Sequence, residues 1–283
     1  MNQRYAHPLE DEALEHLDEL LAASGRIALR HFHGDLESMG AADKSGGRDY
    51  DPVTEADRAI EALLRAGISA MSPGDRVVGE ENGASGPDDA RRTWYLDPID
   101  GTKAFLTGMT GWGTLVGLVE DGRAVAGWMD QPVLGETFGA VHGRAVVRRR
   151  PDSTSPDGPS LVELRTSGCR ELSEAIMYTT HPSMFGDDGE ERRRYDELGR
   201  RVRLQRFGGD CYAYCMVAAG RVDLVVEADL KPYDIVALVP IVEAAGGVVT
   251  GPDGEQPLGG GTVVAAATPE LAEQAWAVLR GEG

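Results

Sequence analysis

The sequence predicts a mixed α+β / α/β protein, in which a helix pair and an antiparallel sheet precede an α/β half. Two observations support this class. Apolar residues recur at helical spacing through two long segments near the start of the chain, and short strands separated by hairpin-like connections follow them. Further along, strands alternate with helices. A chain of 283 residues can bury a substantial core, in one large domain or two of ordinary size.

Two amphipathic helices are predicted before the first strand. The first covers residues 9–33. The second begins near Thr54, with acidic residues in its first turn and Ile60 and Leu64 on its apolar face. Between them, residues 34–51 are polar and rich in glycine, which predicts a loop. Loops of this length are often functional or mobile, and the sequence leaves open whether this one closes over a ligand.

Short apolar runs in the first half predict strands at residues 77–81, 94–96, 114–120, 124–130 and 136–141. The connections between the last three are typical of hairpins, so we expect an antiparallel sheet with both helices on one face. Residues 148–160 are rich in Arg, Pro, Ser and Asp and have no apolar period. They favour a junction between a first subdomain, residues 1–150, and a second, residues 151–283.

The second half alternates strands with helices. Strands are predicted at residues 161–166, 176–180 and 224–226, around Val248, and at residues 263–266. Helices are predicted at residues 190–201, 209–219, 234–245 and 269–279. Pro240 should kink the third of these helices unless that helix begins late, because proline has no amide donor.

The charge and the cysteines limit the class of partner. A formal net charge of −19 argues against a nucleic-acid or anionic-membrane surface, and an acidic protein needs cations to handle an anionic substrate. Cys169, Cys211 and Cys215 have no zinc or redox spacing, which favours a reducing compartment. The polar, acidic start of the chain is unlike a leader, and no apolar run reaches membrane-spanning length. We therefore expect a soluble cytoplasmic protein.

The most informative stretch is WYLDPIDGTK at residues 94–103. Its apolar start predicts a strand that delivers Asp97 to the carboxyl edge, and Pro98 should stop the ladder, leaving Asp100 in a turn. A helix beginning near Thr102 would direct free N–H groups toward an anion. Two carboxylates and a backbone oxygen are ligands for Mg²⁺. The alternative is an ordinary acidic turn, because Asp, Pro and Gly dominate turns.

Other carboxylates also lie where secondary structure changes. Asp57 is early in a helix, Glu80 and Glu81 end a strand, and Asp234 begins a helix. Because adjacent strand residues point to opposite faces, we expect at most one of the two glutamates to face the same site as Asp97. Carboxylates gathered in this way would repel one another without metal ions, so the pattern favours a Mg²⁺ site.

Three motifs in this order resemble the signatures of the inositol monophosphatase family. They are GEE at residues 79–81, WYLDPIDGT at residues 94–102, and KPYD at residues 231–234, which Gly246 and Gly247 follow. The resemblance runs from about residue 14 to residue 279. It implies a layered α-β-α-β-α sandwich, Mg²⁺-dependent hydrolysis of a small phosphate monoester, and a homodimer.

The resemblance also implies roles for individual residues. The implied metal ligands are Glu80, Asp97, the Ile99 carbonyl, Asp100 and Asp234. Asp57 and Thr102 would position and activate the attacking water, and the Gly101 and Thr102 amides would hold the phosphate. Glu81 would support the other ligands or bind a weaker third ion. The family resemblance implies two or three Mg²⁺ ions, and the sequence does not rank Mg²⁺ above Mn²⁺.

The substrate is inferred from residues outside the metal site. Residues 208–214 most resemble the histidinol-phosphate phosphatase branch, whereas inositol phosphatases usually have small residues there. Carboxylates at Asp210 and Glu227 suit a substrate with an ammonium and an imidazole, as in L-histidinol phosphate, an intermediate of histidine biosynthesis. The alternatives are a helix N-cap for Asp210 and a strand-end surface charge for Glu227. The alternative functions are an inositol-1-phosphate or sugar-phosphate phosphatase and, more distantly, a non-catalytic metal- or phosphate-binding regulator.

Overall fold

The fold is taken from a computed structural model that describes Leu9 and residues 11–34, 42–43, 52–141, 143–150 and 160–282. The predicted loop at residues 34–51 and the predicted junction at residues 148–160 lie largely outside these described residues, as does most of the chain before residue 11. Two short strands of the described part pair with each other, β1 at Ala42–Asp43 and β2 at Pro52–Val53.

Two amphipathic helices form the first layer. α1 spans Asp11–His31 and α2 spans Glu55–Met71, close to both predictions. Their apolar faces pack on one face of a large sheet and share a core with its aromatic residues, including Trp94 and Trp128. This burial, more than helix propensity, stabilises both helices. Among the described helices, none is long and apolar enough to cross a membrane.

Within the described residues, eight strands form the second layer, in the order β10-β9-β8-β7-β6-β5-β3-β4. They are β3 at Arg76–Gly79, β4 at Gly83–Ser85, β5 at Arg92–Asp100, β6 at Gly113–Glu120, β7 at Arg123–Gln131, β8 at Glu136–Val141, β9 at Arg144–Arg149 and β10 at Ser160–Glu163. Neighbours pair antiparallel except β3 and β5, which are parallel.

Two predictions about this sheet were wrong. β9 and β4 were not predicted, and the strand expected at residues 161–166 was placed in the second half of the chain. In the structure β10 pairs with β9, so it extends the first sheet. The subdomain boundary at residue 150 stays a prediction.

Helices and a second sheet complete the layers. The third layer contains α5 at Asp210–Ala218, α6 at Pro232–Ile235 and α7 at Leu238–Ala244. The fourth is a sheet in the order β12-β11-β13-β15-β14, formed by β11 at Ile176–Thr179, β12 at Leu204–Phe207, β13 at Leu224–Leu230, β14 at Val248–Thr250 and β15 at Gly261–Ala266. The fifth contains α4 at Glu190–Arg201 and α8 at Pro269–Arg280. The α-β-α-β-α sandwich is therefore confirmed.

Pro240 fits the structure because the helix predicted at residues 234–245 is divided into α6 and α7. α7 begins at Leu238, so Pro240 is its third residue, where the missing amide would have no partner within the helix. The single helix predicted at residues 234–245 was wrong, and of the two outcomes left open for Pro240, a kink or a late start, the structure shows the late start.

The link between α6 and α7 lies directly on the first sheet at two glycines. Gly117 on β6 and Gly127 on β7 are cross-strand partners. A Cβ atom added at Gly127 would lie 1.9 Å from the carbonyl oxygen of Ala237, and one at Gly117 would lie 2.7 Å from the Ala237 nitrogen. Two adjacent glycines therefore allow the backbone before α7 to touch the sheet. This contact sets the distance from the sheet to Asp234, which lies three residues before Ala237.

We expect Gly127→Ala to lower the free energy of unfolding by about 2 kcal/mol, because the new methyl group meets backbone that cannot rotate away. Urea denaturation followed by circular dichroism measures this change. Gly74→Ala is the matched control, since a Cβ there meets nothing within 4 Å. Equal stability of the two variants would contradict the close approach of α7 to the sheet.

Candidate active site

Six carboxylates converge in two groups at the edge of the first sheet. The first carboxylate group is Asp57, Glu80 and Glu81, and the second carboxylate group is Asp97, Asp100 and Asp234. In each group, one oxygen from every residue lies within 4.8 Å of the others. Every carboxylate that the sequence analysis named as a metal ligand therefore lies in either the first or the second carboxylate group.

In the first carboxylate group, Asp57 is held by the start of its own helix. It is the third residue of α2, and its Oδ2 accepts hydrogen bonds from the backbone N–H (2.8 Å) and the hydroxyl of Thr54. The Thr54 hydroxyl in turn accepts from the Asp57 amide, which completes a capping box. The cap that begins α2 therefore also orients the Asp57 carboxylate.

Glu80 and Glu81 lie in a turn, not in a strand as predicted. β3 ends at Gly79, and the Glu80 amide donates to the carbonyl of Leu96 at 3.2 Å. Strand alternation therefore does not apply to this pair, and both carboxylates lie close to Asp57. The predicted strand end at residue 81 was wrong, because β3 ends two residues earlier. That at most one of the two glutamates faces the same site as Asp97 stays a prediction.

In the second carboxylate group, an irregularity in β5 aligns two aspartates. The register of β5 against β6 shifts between Asp97, which pairs with Leu115, and Asp100, which pairs with Gly113. Residues three apart on a regular strand point to opposite faces, so the shift is what brings both carboxylates into one group. Pro98 lies within the irregular stretch, where its missing amide costs no ladder bond.

β5 therefore continues beyond Pro98, and the prediction that this proline ends the ladder was wrong. Beyond it, Gly101 has a φ of 82° and α3 begins at Thr102, as predicted, although it spans only Thr102–Leu106. The Thr102 hydroxyl donates to the Ile99 carbonyl at 3.1 Å. A Cβ atom at Gly101 would lie 3.1 Å from the Asp210 Cβ, so glycine keeps this turn close to α5.

The other aspartates of this group are also anchored by backbone amides. Asp234 is the third residue of α6, and its Oδ2 accepts from the Lys231 amide at 2.7 Å. Asp100 Oδ2 accepts from the Cys211 amide at 2.9 Å, which connects the first sheet to the start of α5. The structure thus fixes the Asp100 and Asp234 carboxylates with hydrogen bonds from the main chain.

Burial and the neighbouring negative charges make the charged forms of these carboxylates unfavourable in the absence of a cation. Burial, followed by the charges of Glu80, Asp100 and Asp234, raises the pKa of Asp97 well above its usual range. Burial is also the main cause that raises the pKa of Asp57 and of Asp234 to about 7. Asp97 Oδ1 is buried and has no hydrogen-bond partner among the described residues. A buried, unpaired oxygen among hard carboxylates fits a divalent metal ion.

A cavity of about 140 Å³ adjoins the second carboxylate group. Its walls include Asp100, Asp234, Asp210, Glu227 and Thr180. The two residues predicted to recognise the substrate therefore share a cavity with two predicted metal ligands. Burial and the charge of Glu227 raise the pKa of Asp210 to about 6, and Lys103 acts in the opposite direction.

The structural alternatives for these two residues are contradicted. Gly209 occupies the N-cap of α5, and among the described residues no side chain caps this helix, so Asp210 is not its cap. Glu227 lies inside β13 and is 3 % exposed, so it is not a surface charge. Its Oε1 accepts from the Thr180 amide at 2.8 Å and its Oε2 from the Tyr214 hydroxyl at 2.9 Å.

The sequence analysis gave no role to Thr180, Tyr214 or Glu61, all of which contact site residues. Glu61 could have been found from the sequence, since a glutamate one helical turn after Asp57 falls on the apolar face of α2. Thr180 and Tyr214 lie in stretches that the family resemblance marks, but their contacts with Glu227 could not be predicted, because these join separate parts of the chain.

Comparison with known proteins places the chain in a family. The inositol monophosphatase family model matches residues 9–282. The histidinol-phosphatase of Mycobacterium tuberculosis is 37% identical over 217 residues, covering 77% of this chain and 80% of that protein. The chloroplastic bifunctional phosphatase IMPL2 of Arabidopsis thaliana is 38% identical over 232 residues, which are 82% of this chain but only 62% of that longer protein. The inositol-1-monophosphatase of Mycobacterium leprae is 32% identical, with 88% and 85% coverage.

A solved structure agrees with these matches. An inositol monophosphatase from Zymomonas mobilis superposes with a TM-score of 0.77 at 36% identity, covering 95% of this chain and 98% of the other. Both the sequence and the fold are matched over nearly the whole chain. The chain belongs to the inositol monophosphatase family of metal-dependent phosphatases.

Proposed function

We propose that this chain is a Mg²⁺-dependent histidinol-phosphate phosphatase, which hydrolyses L-histidinol phosphate to L-histidinol and phosphate. The observation that carries the proposal is the shared cavity, in which Asp210 and Glu227 lie beside the carboxylates of Asp100 and Asp234. A phosphate that binds at the metal site would leave the rest of the ester facing these two acidic residues. Histidinol-phosphatases among the relatives support this substrate.

The metal ions would be held by Glu80, Asp97, the Ile99 carbonyl, Asp100 and Asp234, with Glu81 supporting them or binding a third ion. When bound, Mg²⁺ supplies the positive charge that activates water for attack and stabilises the departing oxygen. In this proposal Asp57 and Thr102 orient the water and Asp57 accepts its proton. The amides of Gly101 and Thr102 donate to the phosphate oxygens. Water attacks phosphorus, the bond to the alcohol oxygen breaks, and that oxygen takes up a proton.

The acidic residues of the cavity would select a cationic alcohol. Both Glu227 oxygens already accept hydrogen bonds from Thr180 and Tyr214, so its contribution would be mainly negative charge. Asp210 would make the direct contact with the ammonium or imidazole. A neutral polyol gains nothing from this charge, and such a cavity would favour a cation over it.

Inositol-1-phosphate remains the alternative substrate, because an inositol-1-monophosphatase matches 88% of this chain. The non-catalytic regulator is disfavoured by the retention of both Asp57 and Thr102, which a binding protein would not need. We further propose a cytoplasmic homodimer that acts in histidine biosynthesis. The free thiols of Cys169, Cys211 and Cys215 suit a reducing compartment. The dimer rests on the family resemblance alone.

We expect Asp97→Asn to lower kcat/KM at least tenfold and to raise the stability of the metal-free protein. The first effect follows from loss of a metal ligand, and the second from removal of a buried charge that its neighbours repel. Phosphate release with Mg²⁺ and thermal unfolding in EDTA measure the two effects. Asp89→Asn is the control, since Asp89 is exposed. Normal Mg²⁺-dependent turnover in Asp97→Asn would contradict the ligand assignment.

We expect phosphate release from L-histidinol phosphate to exceed release from inositol-1-phosphate at equal concentrations. Asp210→Asn should raise KM for histidinol phosphate about tenfold, the cost of one charged contact, and leave inositol-1-phosphate kinetics nearly unchanged. Asparagine is the suitable replacement because Asp210 has a φ of 41°, which asparagine tolerates. Equal rates on both substrates, or an unchanged KM of Asp210→Asn for histidinol phosphate, would contradict the proposed substrate but not the phosphatase chemistry.

A further inference from the structure

We propose that Glu61, braced by Arg65, is a positioning residue that holds the turn after β3 so that Glu80 and Glu81 face Asp57. This inference rests on the proposed function, because it takes Glu80 and Glu81 as metal ligands and Asp57 as the residue that orients the water. It concerns residues to which no role in the chemistry has been given above.

Both carboxylate oxygens of Glu61 accept hydrogen bonds from the turn that follows β3. It lies on α2 one helical turn after Asp57, and it is completely buried. Its Oε2 accepts from the Glu81 amide at 2.7 Å, and its Oε1 accepts from the Asn82 amide at 3.1 Å and from the Asn82 side chain at 3.0 Å. Both oxygens therefore hold protein donors. Glu61 resembles a ligand by position but acts on the backbone beside the ligands.

Arg65 fixes Glu61 and the two strands on either side of the turn. Its Nη2 donates to Glu61 Oε1 at 2.8 Å and to the Gly83 carbonyl at 2.8 Å. Its Nη1 donates to the Val77 carbonyl at 3.2 Å and to the Ser85 hydroxyl at 2.6 Å. One guanidinium thus balances the buried carboxylate and joins β3 to β4.

The close approach of the Glu61 carboxylate to β3 explains why residue 79 is a glycine. A Cβ atom at this position would lie 2.4 Å from the carboxylate carbon of Glu61 and 2.4 Å from its Oε1. Any larger residue would push β3 away from α2 or displace the Glu61 carboxylate. The glycine of the GEE motif therefore allows Glu61 to reach the amides of the next turn.

The turn needs this support because its carboxylates repel their neighbour. Burial is the main cause that raises the pKa of Asp57, and the charges of Glu80 and Glu81 raise it further, so the metal-free group is unfavourable. A turn without the Glu61 contact would relax and move its carboxylates apart. Holding them in place before the metal ion arrives lowers the reorganisation that binding requires, as outer partners of metal ligands commonly do.

The test measures Mg²⁺ binding to the metal-free protein by isothermal titration calorimetry. We expect Glu61→Gln to raise the Kd for Mg²⁺ by about 10- to 100-fold, the usual effect of removing an outer partner of metal ligands. Asp75→Asn is the matched control. Asp75 is also a buried carboxylate, and it joins the opposite end of β3 to β5 by accepting from Arg92 and from Trp94. We expect this control to lose stability but to change the Kd less than twofold.

A second readout does not depend on metal. Hydrogen exchange of the metal-free protein should be faster in Glu61→Gln at the amides of Glu81 and Asn82, and unchanged there in Asp75→Asn. A second variant, Arg65→Met, keeps the Glu61 carboxylate but removes the guanidinium that pairs with it. We expect it to raise the Kd for Mg²⁺ about fivefold, the effect of losing one hydrogen bond.

An unchanged Kd in folded Glu61→Gln, or in Arg65→Met if the first variant does not fold, would overturn the positioning role. Equal rises in Kd for Glu61→Gln and Asp75→Asn would also overturn it, because general loss of stability would then explain both. Failure of the proposed function looks different: the unsubstituted protein itself would neither bind Mg²⁺ nor release phosphate in its presence.

Discussion

Repulsion among buried carboxylates is the constraint on which the rest of this structure depends. Asp97 is nearly inaccessible to water, and its pKa is raised both by burial and by the charges around it. The fold answers this with main-chain contacts. The Asp57 and Asp234 carboxylates are held by the first turns of their own helices, and Asp100 by the Cys211 amide in the first turn of α5. Helix starts and a shifted strand register therefore prepare a place for positive charge that the acidic chain does not itself supply.

The layers of the sandwich serve this arrangement. Asp97 and Asp100 come from the first sheet, whereas Asp234 comes from the short helix between the sheets. The close approach of the backbone before α7 to β6 and β7, at Gly117 and Gly127, helps to bring them together. A site assembled from separate layers depends on the distance between those layers. The packing of the third layer is for this reason part of the chemistry as well as of the core.

The fold could be predicted wherever the sequence has a strong local period. The bounds of α1 differ from the prediction by only two residues at each end, because its apolar spacing is unambiguous. The bounds of α4 also agree, although this helix is mostly charged, with acidic residues in its first turn and basic residues in its last. β9 was missed because its arginines concealed the alternation of Ala145 and Val147, which are both buried. Local rules also failed where distant contacts decide the outcome. The end of β3 depends on Glu61, which lies on a helix, and Pro98 is accommodated by a register shift that only the partner strand reveals. The carboxylates could be named from motifs, but the buried setting of Glu227 and the uncapped geometry of Asp210 required the structure.

The bond from the Cys211 amide to Asp100 has a consequence for how such an enzyme evolves. The Cys211 amide, in the first turn of the helix that presents Asp210 to the cavity, holds the Asp100 carboxylate of the second carboxylate group. Substitutions at residues 209–212 will therefore disturb the Asp100 carboxylate unless they preserve the path of the main chain. An insertion or deletion at this point would move the Cys211 amide away from the Asp100 carboxylate. We therefore expect relatives to differ here by exchange of side chains on a fixed backbone.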